Sequence, residues 1–124
     1  MIFIDRSIPK SVANALKLVR SDVAWLEDFY AHDTKDEIWL RDAGANDWLV
    51  VCRDKKVRTR PGQRRAILDN GVGCFVLAMS KNLTRWEYLK LLTLTLDDMV
   101  SLFNATPRPF VFTIDSTGRF SRRL

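Results

Sequence analysis

At 124 residues, the chain has the length of one domain, by the rough measure of 100–200 residues each, and can bury about two-thirds of its unfolded surface without disulfides or a structural metal. Apolar residues make up 47% and charged residues 28%, a globular mixture that excludes a disordered tail, a collagen-like chain and a coiled-coil rod. The net charge of +5 is uneven: residues 1–52 carry six basic and nine acidic side chains, residues 53–65 seven and one, and residues 66–124 seven and five. An acidic first half joined to a short basic segment implies a carboxylate pocket beside an anion-attracting surface, with phosphate-bearing polymers as the obvious ligands.

In chain order, Met1–Ile4 is a short apolar run ending at Asp5, the form of a strand buried on both faces. Ser7 is placed to cap a helix with Pro9 in its first turn, and Ile8, Val12, Ala15, Leu16 and Val19 share one face of that helix. A second apolar run covers Val23–Leu26. Thr34 to Glu37 has the spacing of a capping box and opens a helix through about Asn46. Trp48–Cys52 is the strongest strand signal. The basic stretch Lys55–Gly62 reads as a loop leading into a helix that stops at Asn70-Gly71.

Val72–Met79 is the fourth strand. A second capping box at Thr84–Glu87 opens a long helix with Trp86, Leu89, Leu92, Leu96, Met99, Val100 and Phe103 on one side, ending before Pro107. Pro109–Ile114 is the last strand, followed by a basic tail. Solid apolar strands alternating with amphipathic helices predict a single three-layer α/β/α domain over residues 1–124, with a central parallel sheet of about five strands and right-handed crossovers. No apolar run reaches the roughly 18–20 residues of a membrane span, and Asp5 interrupts any signal-peptide core. Cys52 and Cys74 lie in apolar runs and read as reduced core thiols. A cytoplasmic location without a membrane partner is the expectation.

Asp5 ends the first strand and Asp54 follows the third. Asp36 stands in the first turn of the helix leading into the third. Ligands of open parallel sheets bind at the carboxyl ends of the strands, the rim to which the helix N-termini also point, so these three acids can converge. Together they would repel unless a cation compensated them, and oxygen-only ligands select a hard ion, Mg²⁺ or Mn²⁺. Each acid also has an ordinary reading: a helix cap for Asp5, pairing with a helix dipole for Asp36, a solvated turn charge for Asp54. Asp33 and Glu37 are the further acids nearby. Arg53, Lys55, Arg58, Arg60 and Arg64 would border this rim and reach a phosphate backbone, Arg58 and Arg60 from alternating positions of an extended loop. The four tryptophans read mostly as core anchors.

The run Ile2-Phe3-Ile4-Asp5-Arg6-Ser7-Ile8-Pro9 resembles the first motif of PIN-like nucleases. Asp33 to Trp39 with Ala43 is similar to their second motif, and Trp48 to Asp54 to the strand carrying their third acid. The likeness extends through Arg64-Arg65-Ala66-Ile67-Leu68, Phe75-Val76-Leu77, Asn82-Leu83-Thr84 and Pro109-Phe110-Val111-Phe112, and it is nearest to the VapC-type toxins of bacterial toxin–antitoxin pairs. The resemblance implies a Mg²⁺- or Mn²⁺-dependent endoribonuclease held in check by a cognate antitoxin. It also implies that Asp5, Asp36 and Asp54 are the metal ligands, with dimers common. Many members carry another acid just after the third; this chain has Lys55-Lys56-Val57, which leaves Asp33 or Glu37 as sources of a fourth carboxylate. Two other readings compete. One is a catalytically inert PIN-like module that only binds a partner or RNA. The other is a phosphoacceptor receiver-like domain, weakened because Arg6 follows Asp5 where that class has a second acid and Asp115 stands where it needs a lysine.

Overall fold

Strands that are apolar on both faces must be covered on both faces. The computed structural model, which describes residues 1–53 and 61–124, meets that demand with helices above and below one sheet. Among the described residues the order is β1 (Ile2–Ile4), α1 (Lys10–Lys17), β2 (Val23–Trp25), a 3₁₀ turn (Leu26–Asp28), α2 (Asp36–Ala45), β3 (Leu49–Cys52), α3 (Pro61–Asn70), β4 (Gly73–Leu77), α4 (Arg85–Ala105), β5 (Phe110–Ile114) and β6 (Phe120–Arg122). The sheet order is β2-β1-β3-β4-β5-β6. All pairs are parallel except β5 with β6.

Alternate residues of each strand serve opposite cores, as the period of two requires. Ile2, Ile4, Leu49, Val51 and Phe75 pack with Val12 and Leu16 of α1 and with Leu92, Leu96 and Met99 of α4. Phe3, Val50, Cys52, Cys74 and Val76 face the other way, against Trp39, Leu40 and Ala43 of α2 and Ala66 and Ile67 of α3. Phe3 stacks on Trp48 at 4.9 Å between ring centroids and meets Trp39 at 5.5 Å. The two cysteines are buried, with sulfurs 3.9 Å apart. No helix among the described residues is long and apolar enough to cross a membrane.

Several local expectations are corrected. The tail is not merely basic: Phe120–Arg122 folds back as an antiparallel sixth strand, pairing Ile114 with Phe120 and Phe112 with Arg122. Ser7 does not cap α1, which starts only at Lys10 after Pro9; its hydroxyl instead accepts from the Arg53 amide at 2.9 Å. Ala13 joins Val12 and Leu16 inside, and Val19, beyond the end of α1 at Lys17, is 78% exposed. The Thr34 box does not form, because α2 begins with Lys35 at the N-cap and no side chain caps it. The Thr84 box does form, Thr84 Oγ1 accepting from the Glu87 amide at 3.1 Å and Glu87 Oε1 from the Thr84 amide at 2.9 Å. Trp86, one residue into α4, is 64% exposed. Leu92, Leu96, Met99 and Phe103 of the expected face do point inward, joined by Tyr88, Leu91 and Thr95.

The α2–α3 pair is set by two glycines. Gly71, at φ +64°, turns the chain out of α3 in the left-handed region. Gly44 lets α2 lie directly on the end of α3: a Cβ at Gly44 would sit 2.1 Å from the Asn70 carbonyl oxygen. Alanine at Gly44 gains up to about 1 kcal/mol of helix propensity, but overpacking costs typically about 1–3 kcal/mol, and here the obstacle is backbone. Gly44→Ala is therefore expected to lower the urea midpoint, and an unchanged or raised midpoint would contradict this close approach.

Candidate active site

The chain runs from β1 to β2 on one side of β1 and returns to β3 on the other, so the order reverses at the β1–β3 boundary. Open α/β sheets bind ligands at the carboxyl ends of the strands beside such a reversal. Asp5 stands at that place. It is 6% exposed, and its amide donates to the Val51 carbonyl at 2.9 Å, continuing the ladder between β1 and β3. Two residues on, the Ser7 amide donates to Asp5 Oδ2 at 3.2 Å. The Ser7–Arg53 hydrogen bond then ties the exit of β1 to the exit of β3. Asp54 itself, with Lys55, Arg58 and Arg60, lies outside the described residues.

Asp36, the first residue of α2, faces the same rim and is held from three directions. Oδ1 accepts from Arg6 Nη2 at 3.1 Å and from Trp39 Nε1 at 3.0 Å. Oδ2 accepts from the Gln63 carboxamide nitrogen. Arg6 Nη2 also donates to the Thr34 carbonyl at 3.0 Å, which fixes the chain just before α2. Arg6, Thr34, Asp36 and Gln63 wall a cleft of about 520 Å³ together with Asp33, Glu37 and Gly62. Asp33 and Glu37 are exposed on its edge. A Cβ at Gly62 would come within 2.8 Å of Glu37 Oε1, so that carboxylate lies over the first turn of α3. There the helix dipole favours it.

Burial pushes the Asp5 carboxyl above its ordinary value. The Asp36 charge adds to the rise, against hydrogen bonding from Ser7 and attraction by Arg6. Arg6 thus neutralises one of the two acids while Asp5 remains under-compensated. A hard divalent cation suits this donor set, which is all oxygen and comes from two separate elements. The described residues supply only a pair of acids: they contain no group of three or more metal-ligating His, Cys, Asp or Glu side chains.

The basic residues divide. Arg64 is exposed on α3. Arg53 is turned into the protein, donating from Nη1 to Tyr88 Oη at 3.1 Å and from Nη2 to the carbonyls of Met79 and Lys81. It braces the β3 exit against the β4–α4 connection. Asp115 is engaged in its own turn, accepting from the Thr117 amide and hydroxyl and the Arg119 amide.

Arg6 and Gln63 are the site residues that sequence reasoning overlooked. The signal for Gln63 was available: it lies in the first turn of α3, and the rule that brings Asp36 to the rim brings the first turn of every crossover helix there. Arg6 adjoins Asp5, but its contact with Asp36 spans 30 residues and has no local signature.

Asp5 yields a pH prediction. A carboxyl with a raised folded-state pKa keeps its proton where the unfolded chain has lost it, so stability falls as pH rises from the ordinary value through the folded one. Asp5→Asn removes that penalty. In metal-free buffer the variant is expected to resist urea better than the parent at pH 7, with the difference shrinking as pH falls toward the ordinary value of 3.8. Equal or lower stability across that range would contradict the burial of a poorly compensated acid.

A family model described as a PIN-like domain matches residues 1–79, a stretch holding Asp5, Asp36, Gln63 and the strands β1 to β4. No curated protein and no solved structure matches the chain. The strand order alone does not separate this class from receiver-like sheets, which share the order 2-1-3-4-5. The family match does, and with more than half of its 124 residues covered, the chain belongs to the PIN-like domain family.

Proposed function

We propose that this protein is a metal-dependent endoribonuclease. PIN-like domains are typically nucleases, and the observation that carries the reading is the nearness of the buried Asp5 to Asp36 at the strand-order reversal, beside a cleft lined by Asp36, Arg6 and Gln63. Asp5 and Asp36, with Asp54 from beyond the described residues, would hold Mg²⁺ or Mn²⁺. When bound, such an ion supplies Lewis-acid stabilisation of charge developing on a phosphodiester and acidifies water.

The chain's own residues account for the remaining chemistry. Asp5, buried and under-compensated, is suited to accept a proton from an attacking water. Trp39 and Gln63 orient the Asp36 carboxylate. Arg64, with Lys55, Arg58 and Arg60, would follow the RNA backbone. Such contacts position a strand without reading its sequence.

The finer reading is the toxin of a toxin–antitoxin pair, as the likeness to VapC-type chains suggests, with a small cognate antitoxin as partner and a homodimer joining two basic segments into one groove. A second reading has a specific observation behind it. The Arg6–Asp36 ion pair at 3.1 Å already balances one acid, as suits a PIN-like module that binds RNA or a partner without cleaving.

Cleavage of a labelled single-stranded RNA with Mn²⁺ or Mg²⁺, and with EDTA, separates the two. The nuclease reading expects metal-dependent cleavage that falls by roughly 100-fold or more in Asp5→Asn, Asp36→Asn and Asp54→Asn, the scale of losing a positioned acid–base group. Equal cleavage by the parent and Asp54→Asn would overturn it, and binding without turnover would favour the inert module. For the toxin role, induced expression should arrest growth of the host cell, and Asp54→Asn should relieve the arrest. Normal growth on expressing the active parent would count against it.

A further inference from the structure

The helices α1 and α4 lie side by side on one face of the sheet. Each follows a parallel strand, so both begin at the carboxyl rim. Between their opening turns runs a groove of about 240 Å³, lined by Ser11, Val12 and Ala15 of α1 and by Arg85, Trp86 and Leu89 of α4. Trp86 stands open there, at 64% exposure, although tryptophan is on average a well-buried residue. Its surroundings are cationic. Lys10, Arg85 and Lys90 are exposed, and none forms an ion pair with a described residue. Lys90 Nζ lies 5.9 Å from the centre of the indole. The acid in the first turn of α4, Glu87, is already engaged: it accepts from the Thr84 amide and pairs with Lys81 at 3.8 Å.

The chain places this patch beside the acids. Lys10 opens α1, five residues beyond Asp5. Arg53, at the exit of β3, donates to the Tyr88 hydroxyl and the Lys81 carbonyl, so the start of α4 is one arginine side chain away from that exit. A strand crossing the rim from the α2–α3 layer, past Asp36 and Asp5, leads onto the opening turns of α1 and α4. An aromatic face among unpaired cations suits single-stranded polynucleotide, whose bases stack on the ring while its phosphates meet the charges. A partner helix would need apolar anchors at spacings of three and four over successive turns, and this groove is confined to the opening turns. We propose that Trp86 is a base-stacking platform outside the catalytic cleft, with Lys10, Arg85 and Lys90 on the phosphates of the same strand. This rests on the nucleic-acid reading above and gives that substrate a second anchoring point.

The test is titration of the full chain in EDTA, so that cleavage does not intervene. The probe is an oligouridylate of about 12 nucleotides, within the site sizes of single-strand binders. Anisotropy of a labelled strand gives affinity, and tryptophan emission with an unlabelled strand reports stacking, because a base on an indole quenches it. Trp25 and Trp39 are buried and Trp48 is stacked on Phe3, so quenching reads Trp86. The parent is expected to lose emission on binding, and Trp86→Ala to bind about 10-fold more weakly, with the quench gone. Trp86→Phe keeps an aromatic face and should stay within about threefold of the parent. Arg85→Gln and Lys90→Gln should each flatten the dependence of log affinity on log salt by about 0.7, the effect of one phosphate contact on a single strand.

Binding of the parent without quenching overturns the proposal, as does failure of the parent to bind the strand. Equal affinity of Trp86→Ala and the parent also overturns it and leaves the patch to a protein partner. The quench is read on the parent, so it decides even where Trp86→Ala does not fold. Stacking on Trp86 without metal-dependent cleavage would defeat the nuclease reading and keep this inference. Cleavage without stacking would do the reverse.

Discussion

The carboxylate of Asp36 is the junction on which the site depends. It accepts from Arg6 of the β1–α1 connection, from Trp39 of its own helix, and from Gln63 of α3. Three chain segments that share no local sequence are thereby fixed around one charge. A partly buried carboxylate must be compensated, and here the compensation comes from Arg6 and from two neutral N–H donors.

The scaffold that brings these groups together is the doubly covered sheet. Because β1 and β3 are buried on both faces, their side chains cannot carry chemistry within the sheet, and polar residues appear only where the strands end. Asp5 is the first such residue after β1. Its position is held by the ladder bond to Val51 and by Ser7, whose hydroxyl secures Arg53 in turn. Arg53, bound to Tyr88 and to two carbonyls, extends that bracing to α4. These hydrogen bonds brace the rim where it meets β1, β3 and α4.

Much of this was legible in the residues themselves. Solid apolar runs separated by amphipathic helices implied a covered parallel sheet, and the rule about strand ends pointed to Asp5 and Asp36. Legibility failed where contacts are long-range or boundaries shift. Ser7 resembles a cap in sequence, but Pro9 delays α1 and frees the hydroxyl for Arg53. Trp86 fits a helical face by spacing, yet the inward face is set by what α4 meets on the sheet. Phe120–Arg122 is too short and too basic to announce itself as a strand; pairing with β5 makes it one.

The sequence by itself determined the fold class, because the period and solidity of apolar runs dictate which surfaces must be buried. It also determined where acids would stand, because strand and helix ends share one rim. Only the tertiary structure decided their electrostatic state. Arg6 lies 30 residues from Asp36 and Gln63 lies 27, and no local pattern encodes contacts across such distances. Their arrangement turns Asp36 into a neutralised hub and leaves Asp5 under-compensated by burial.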